Sequence, residues 1–342
     1  MSELALLYHD PAVATLGSLY VARRDLWTPL ESLVRRHDLK LDDADVYLQL
    51  AHLKAVGPFA RTRARAASEA GQDLTRVTAV SATRMRGLLQ AFAERGLLHL
   101  GPTSRGRYAA PRTFEYTEKG ERLMEDLWTE YAWLAGRVMV RASDADLADH
   151  ARVCDQICRN TLALEYHDSG HPQGAGSRAE ILHGILKSAR GLLGPLGRMT
   201  LRGTELTVEK ADILVLLYEH HLRHREGLTA SGFMSTAHLR DSLVHSMAAS
   251  SALLSRWLDD MGGRDASGAK PAGRGWVEFG EVKDGGRRTQ ARITPSGIEV
   301  IRRVWSEYVT FAGEVLAGLS GECLAAHRRV NRQISDLAAH LR

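Results

Sequence analysis

Three groups of residues in this chain have types and spacings that could do chemistry. His150, Cys154 and Cys158 lie four apart, so a helix places them on one face. Imidazole with thiolate there would suit a metal, and a thiolate alone would suit oxidation sensing. The commoner use of cysteine on a packed helix is as a small buried hydrophobe, and that reading takes precedence. Glu219, His220, His221 and His224 form a second ligand-type cluster, but they end a helical segment before a polar stretch. A solvated helix end is the plainer account. The third group is arginine-rich: Arg61, Arg63 and Arg65 in ARTRARA, then Arg76, Thr83, Arg84 and Arg86. Arginine can donate two bonds to guanine or bind phosphate, so the set could read bases and grip a backbone. Each of these arginines alone could equally be a solvated surface charge. No glycine-rich phosphate loop, Gly-x-Ser-x-Gly elbow or His-Glu-x-x-His motif is present, so the chain is not expected to be an enzyme. No cofactor or metal is called for.

The bulk properties set the frame for those groups. At 342 residues the chain can hold two ordinary domains, each with its own core. It has no apolar run near the eighteen or more residues of a membrane span, so no membrane partner is expected. The stretch MSELALLYHDPAVATLG lacks a basic lead and a long apolar core, and does not read as a signal peptide. Three cysteines are too few for a disulfide framework and fit a reducing, cytoplasmic setting. A net charge of +4 says little about a polyanionic partner. The placement of the arginines must carry that argument.

The elements that would position them occur twice. Thr117-Glu118-Lys119-Gly120 opens a helix reading ERLMEDLWTEYAWLAGRVMV, and Thr294-Pro295-Ser296-Gly297 opens another reading IEVIRRVWSEYVTFAGEVLA. At a constant offset these pair Trp128 with Trp305, Tyr131 with Tyr308 and Gly136 with Gly313; further on, His150, Arg152 and Gln156 meet His327, Arg329 and Gln333. The two cysteine positions are not kept, having Asn331 and Ser335 instead. Matched Trp, Tyr and His spacing is not a product of composition, so the chain is a tandem repeat. Upstream, LKLDDADVYLQL from Leu39 resembles LTVEKADILVLL from Leu206. A short helix follows, Leu74 to Thr78 or Leu239 to Leu243, then a turn ending at Ser81 or Ser246. Each serine is a good N-cap for a longer helix, SATRMRGLLQAFAERG or SMAASSALLSRWLDDMG. Strand-like sequence comes next. Leu97–Leu100 returns through Thr113–Tyr116, and Trp276–Phe279 turns at Lys283-Asp284-Gly285-Gly286-Arg287-Arg288 and returns through Ala291–Ile293. The expected organisation is a first copy at residues 1–167, a linker at 168–178 and a second copy at 179–342. A Gly/Ala/Pro-containing insert around GGRDASGAKPAGR reads as a flexible loop.

Helix, short helix, tight turn, longer helix and a hairpin with an arginine-rich tip is the order of a winged helix-turn-helix. An α-helix fits the major groove, and a hairpin tip can place arginine on phosphates or in the minor groove. In this arrangement the chain resembles the MarR family of bacterial transcriptional regulators. The carrying residues are the Leu239-xxx-Leu243-x-His245-Ser246 turn, Asp284 with Arg287-Arg288, and Ile293-Thr294-Pro295-Ser296-Gly297. The first copy shows Leu74, Ser81, Glu94-Arg95-Gly96-Leu97-Leu98 and Tyr116-Thr117-Glu118-Lys119-Gly120. The resemblance covers roughly residues 30–158 and 190–337. It implies a mainly α fold with small β-hairpin wings: two winged helix-turn-helix units and a shared helical pseudo-dimerisation region. It also implies double-stranded DNA as partner, bound by a monomeric chain with internal pseudo-two-fold symmetry, and a nucleoid-associated location in the cytoplasm. Family members often bind small aromatic or anionic effectors between the helical region and the winged helices, so a small-molecule effector is a further implied partner.

The copies have diverged, so an imperfect palindrome or asymmetric operator is expected rather than a strict palindrome. The DNA-contacting set is Arg76, Ser81, Thr83, Arg84, Arg86, Arg105, Arg107 and Arg112 in the first copy. In the second it is Ser246, Ser250, Ser251, Lys283, Arg287 and Arg288. The first copy is expected to dominate base readout and the second to anchor through its wing. Trp128, Tyr131, Trp305 and Tyr308 could line a ligand pocket, but helical aromatics more often pack a core, and core is the reading adopted. The leading expectation is a sequence-specific regulator, a repressor by preference. A plasmid-type replication initiator and a winged-helix interaction scaffold without DNA binding are the alternatives.

Overall fold

The computed structural model describes residues 9–56, 80–101, 114–166, 176–243, 250–262, 274–280, 282–283, 287–288 and 290–341. It is mainly helical, with small antiparallel strand pairs. In order the elements are α1 (Pro11–Val34), α2 (Leu41–Val56), α3 (Ala82–Glu94), β1 (Leu98–Leu100), β2 (Phe114–Tyr116), α4 (Glu118–Val138) and α5 (Asp144–Tyr166). There follow α6 (Arg178–Thr200), α7 (Val208–Arg225), β3 (Met234–Ser235), α8 (Thr236–Ser242) and α9 (Ser251–Met261). Then come β4 (Val277–Phe279), β5 (Val282–Lys283), β6 (Arg287–Arg288), β7 (Gln290–Ile293), α10 (Pro295–Val315) and α11 (Gly321–Ala338). Hydroxyl side chains set many of the starts. Ser81 Oγ accepts from the Arg84 N–H at 3.3 Å, Thr207 Oγ1 from Lys210 and Ser235 Oγ from His238, each satisfying an amide the first turn leaves free.

The chain divides into two compact units. One comprises Asp25–Leu192 with Arg329–Arg342 and carries the first copy's strands; the other comprises Met1–Arg24 with Leu193–Arg328 and carries the second's. Helices α1, α6 and α11 each contribute residues to both units.

In the first-copy unit the core is organised around Tyr47 of α2. Its ring meets Phe92 of α3 and Tyr116 of β2 edge-on, with centroids 5.0 and 5.2 Å apart. Its hydroxyl donates to Gly120 O at 2.9 Å, and the Tyr116 hydroxyl donates to Tyr47 O at 3.0 Å. A single aromatic cluster thus joins α2, α3, β2 and the start of α4, with its polar atoms satisfied. β1 and β2 pair with Leu98 opposite Tyr116 and Leu100 opposite Phe114.

The second-copy unit uses an aliphatic core instead: Ile213, Leu214 and Leu217 of α7 pack with Leu239 of α8, Leu254 and Leu258 of α9, Val277 and Ile293. The hairpin expected over residues 276–293 is present, with Val277 opposite Ile293 and Phe279 opposite Ala291. Nearer the tip Lys283 lies opposite Arg287. One strand was not foreseen: β3 adds to the far side of β7, Met234 opposite Ala291, giving a three-stranded sheet. A two-residue strand is too short to carry an alternation signal. The long second-copy helix also departs from expectation. It starts at Ser251, and its N-cap is Ser250, whose Oγ accepts from the Leu253 N–H at 3.2 Å. An extended serine with its oxygen on the third amide ends the helix there, so Ser246 does not cap it. Ser246 itself lies outside the described residues, as does the counterpart short helix at Leu74 to Thr78.

One construction recurs inside each unit. Thr117 Oγ1 accepts from Gly120 N and donates to Gly96 O; Thr294 Oγ1 accepts from Gly297 N and donates to Gly275 O. Gly96 and Gly275 stand at φ 69° and 70°, a left-handed conformation that favours glycine. A Cβ on Gly120 would fall 2.1 Å from Leu97 O, and one on Gly297 would fall 2.4 Å from Trp276 O. The Thr-x-x-Gly motif therefore clasps the helix start onto the strand that precedes the hairpin, twice over.

Candidate nucleic-acid interface

On α3, Thr83 and Arg84 are exposed and Arg86 is half-buried, so these three share a helix that offers polar side chains outward. Ser81 is engaged as the cap of that helix. The Arg84 guanidinium lies 3.4 Å from Asp43 and 3.8 Å from Asp42, both on α2. On α9 the corresponding polar residues are tied up locally. Ser250 is the cap, and Ser251 Oγ accepts from Arg240 Nη1 at 3.2 Å. Lys283, Arg287 and Arg288 are backbone-paired in β5 and β6. Arg76, Arg105, Arg107, Arg112 and Ser246 lie outside the described residues, together with Arg61, Arg63 and Arg65. In the three-stranded sheet Arg292 is held by Glu278, with donor–acceptor distances of 3.0 and 2.8 Å, and its guanidinium stacks 4.5 Å over Phe233.

Behind Arg84 the first-copy unit buries a cluster of charges. Arg190 of α6 contacts Asp42 at 3.4 Å and pairs closely with Asp45, whose other oxygen is 2.6 Å from His183 Nε2. Burial alone would raise the Asp45 carboxyl; Arg190 and His183 outweigh it and hold the group below the usual carboxylate value. The rings of Trp128 and Tyr131 meet His183 edge-on at 5.5 and 6.0 Å, and Tyr131 is fully buried. Tyr131 is thus a core residue, with the half-buried Trp128 beside it.

For Trp305 and Tyr308 the core reading is incomplete. Their rings, 5.5 Å apart and tilted 54°, are half-buried and line a cavity of about 630 Å³ within the second-copy unit. Its wall is largely apolar, with Val13, Val21, Leu196, Leu201 and Val215 among its residues. Polar groups enter at Tyr20, Arg24, Asp212, Glu219, His220 and Arg223. Burial, then the Asp212 carboxylate, hold the Tyr308 hydroxyl above its ordinary range. Tyr20 is raised by burial first and by Tyr308 and Asp212, with Arg23 acting the other way. Both phenols are therefore neutral. Sequence periodicity could not have exposed this space, because it depends on residues from α1, α6, α7 and α10 meeting in three dimensions.

The remaining chemistry-bearing groups are engaged separately. Cys154 is buried with Sγ 3.7 Å from His150 Nε2, and burial pushes the thiols of Cys154 and Cys158 up. Neither is poised as a thiolate. Glu219 pairs with Arg223, His220 contacts Ser231 O at 2.9 Å, His221 stacks on Tyr218 and His224 contacts Thr229 O at 3.1 Å. That pattern is one of local helix-end bonds. Among the described residues no helix is long and apolar enough to cross a membrane. Comparison of the chain with protein-family models, curated proteins and solved structures gives no match.

Proposed function

We propose that this chain is a sequence-specific, double-stranded-DNA-binding transcriptional regulator, a repressor, in which two MarR-like winged helix-turn-helix copies act as a single-chain pseudo-dimer. The observation that carries the reading is the recurrence, in each unit, of one construction: a serine-capped helix leading to an antiparallel strand pair, clasped by Thr-x-x-Gly to a long amphipathic helix. In the first copy that capped helix presents Thr83 and Arg84 outward, as a reading helix would. In the second the pairing of Lys283 with Arg287 puts basic residues near a hairpin tip, as a phosphate-gripping wing would. The cavity beside Trp305 and Tyr308 supports an effector-responsive regulator, since a ligand there could favour one spacing of the reading helices over another.

A gel shift with the intergenic DNA beside the chain's own gene tests the proposal. A discrete complex that survives competitor DNA, and weakens about tenfold with Arg84→Ala, is the expected result. One observation favours a second reading for the second copy. With Ser250 and Ser251 both engaged, the first turn of α9 has few polar probes, as an interaction scaffold would. Absence of any sequence preference in the gel shift would favour that scaffold.

A further inference from the structure

Aligned on Trp128 with Trp305 and Gly136 with Gly313, helices α4 and α10 carry opposite charges at matched surface positions. Arg122 corresponds to Glu299, Glu125 to Arg302, Asp126 to Arg303 and Arg137 to Glu314, and each of these residues is exposed. Their spacing puts them on one stripe of each helix. One matched pair keeps its sign, Glu130 with Glu307, but Glu130 is half-buried and lies 3.3 Å from Arg36. Arg122 also pairs with Glu118 on its own helix, so the weight falls on Glu125, Asp126 and Arg137. Solvation of a helix face needs charge but no particular sign. The helix dipole does prefer a sign, cationic in the last turn, and there Arg137 obeys it while Glu314 opposes it. Something other than local helix electrostatics therefore suits the charges of α10.

An aromatic side chain stands in the middle of the α4 stripe. Trp133 is 49% exposed, with the Arg137 guanidinium 4.6 Å over its ring. The matching stretch of α10 is small and open: Ser306, Thr310 and Gly313 are exposed, and a Cβ on Gly313 would meet nothing within 4 Å. An indole laid across that stretch would find room where the flanking charges are complementary.

We propose that the chain associates with a second copy of itself head to tail, the outer face of α4 in one chain lying parallel to the outer face of α10 in the next. In parallel register every reversed pair comes opposite its complement. An antiparallel placement that sets Glu125 and Asp126 against the arginines would push Arg137 and Glu314 past the ends of the opposing helices. Pairing α4 with another α4 would leave the reversal on α10 without a use. Exposed ion pairs are individually weak, so Trp133 supplies most of the affinity while the charges choose partner and register. Helices of 21 residues are about 30 Å long, and one such pair buries less than a standard interface, so the association is weak and concentration-dependent. Being heterologous, the contact joins separate chains and leaves one chain per operator. It does not rest on the DNA-binding reading.

The test is sedimentation velocity of the full chain without DNA over a concentration series. The wild-type mass is expected to rise above that of one chain with concentration, and to rise less at high salt. Glu125→Arg with Asp126→Arg, and separately Arg302→Glu with Arg303→Glu, should each weaken association by about tenfold or more, with little change in Tm because the positions are exposed. An equimolar mixture of the two double variants should regain wild-type association, since α4 of one and α10 of the other again carry opposite charge. That rescue excludes misfolding as the cause of the losses. Trp133→Ala should weaken association by about tenfold. A chain that stays single up to its solubility limit would overturn the inference, as would a mixture no stronger than its components. Self-association that survives in one double variant would also overturn it, by placing like helices on each other.

Discussion

At the starts of α4 and α10 the chain solves one problem twice, with Thr117 and Gly120 in one copy and Thr294 and Gly297 in the other making the same bonds to the same kind of left-handed glycine. Farther along those same helices the copies part. Tyr131 is fully buried against a histidine of the ion cluster, with Trp128 meeting the same ring, whereas Trp305 and Tyr308 border a cavity. Backbone clearance explains the difference in constraint. A position where a Cβ would strike a carbonyl admits only glycine, while an aromatic on a packed face tolerates many partners. Duplication followed by divergence would therefore preserve the clasp and free the interior.

Four perturbations press on that comparison. The largest effect is expected at the sealed cluster. Asp45→Asn removes the buried carboxylate from Arg190 and His183, leaving Arg190 only the more exposed Asp42, and should cost about 3 kcal/mol in urea unfolding. The wild-type ion cluster also predicts an acid limit. Folding depresses the Asp45 carboxyl, so the unfolded chain takes up the proton first and the stabilisation is lost as pH falls below about 4. Unfolding midpoints measured from pH 7 to pH 3 should fall less steeply in the Asn variant.

Next come the clasps. Gly120→Ala and Gly297→Ala should each destabilise by about 1–3 kcal/mol, whereas Gly136→Ala and Gly313→Ala, exposed in helix interiors with nothing near, should stabilise by about 0.5–1 kcal/mol. Thermal melts of the four variants would show whether the paired positions behave alike. A large difference within either pair would break the claim of a shared construction.

At the DNA the expected contrast is smaller and falls on different half-sites. Arg84→Ala should weaken protection of one half-site by about tenfold, and Arg287→Ala should weaken the other with a shallower salt dependence. Salt-titrated footprinting reads both, and equal losses on both half-sites from either change would erase the proposed division of duties. The smallest effect is expected for Asp43→Asn. Relieving the exposed Arg84 pair should raise DNA affinity about two- to fivefold, measurable by equilibrium gel shift.

Local chemistry accounts for what could be read from the sequence. Ser81 as a cap, the Thr-x-x-Gly starts, the 276–293 hairpin and the paired Trp/Tyr helices all depend on residues close in the chain. The cap at Ser250 was missed because SMAASSA offers several serines, and only backbone geometry chooses among them. β3 was missed because two residues cannot show a period. The ion cluster and the cavity were illegible for a stronger reason. Asp45 meets His183 and Arg190 across well over a hundred positions, and Val13 and Tyr20 come to Trp305 from nearly the other end of the chain. Arg84 illustrates both sides: its place just after the Ser81 cap was legible, but its contact with Asp42 and Asp43 was not.

The measurement that tests the central claim most directly is the stoichiometry and footprint of the DNA complex, determined together by sedimentation and nuclease protection at equilibrium. The account predicts one chain per operator, protecting two neighbouring half-sites on successive turns of the duplex. Two chains for each pair of half-sites, or protection of a single half-site by one chain, would contradict it.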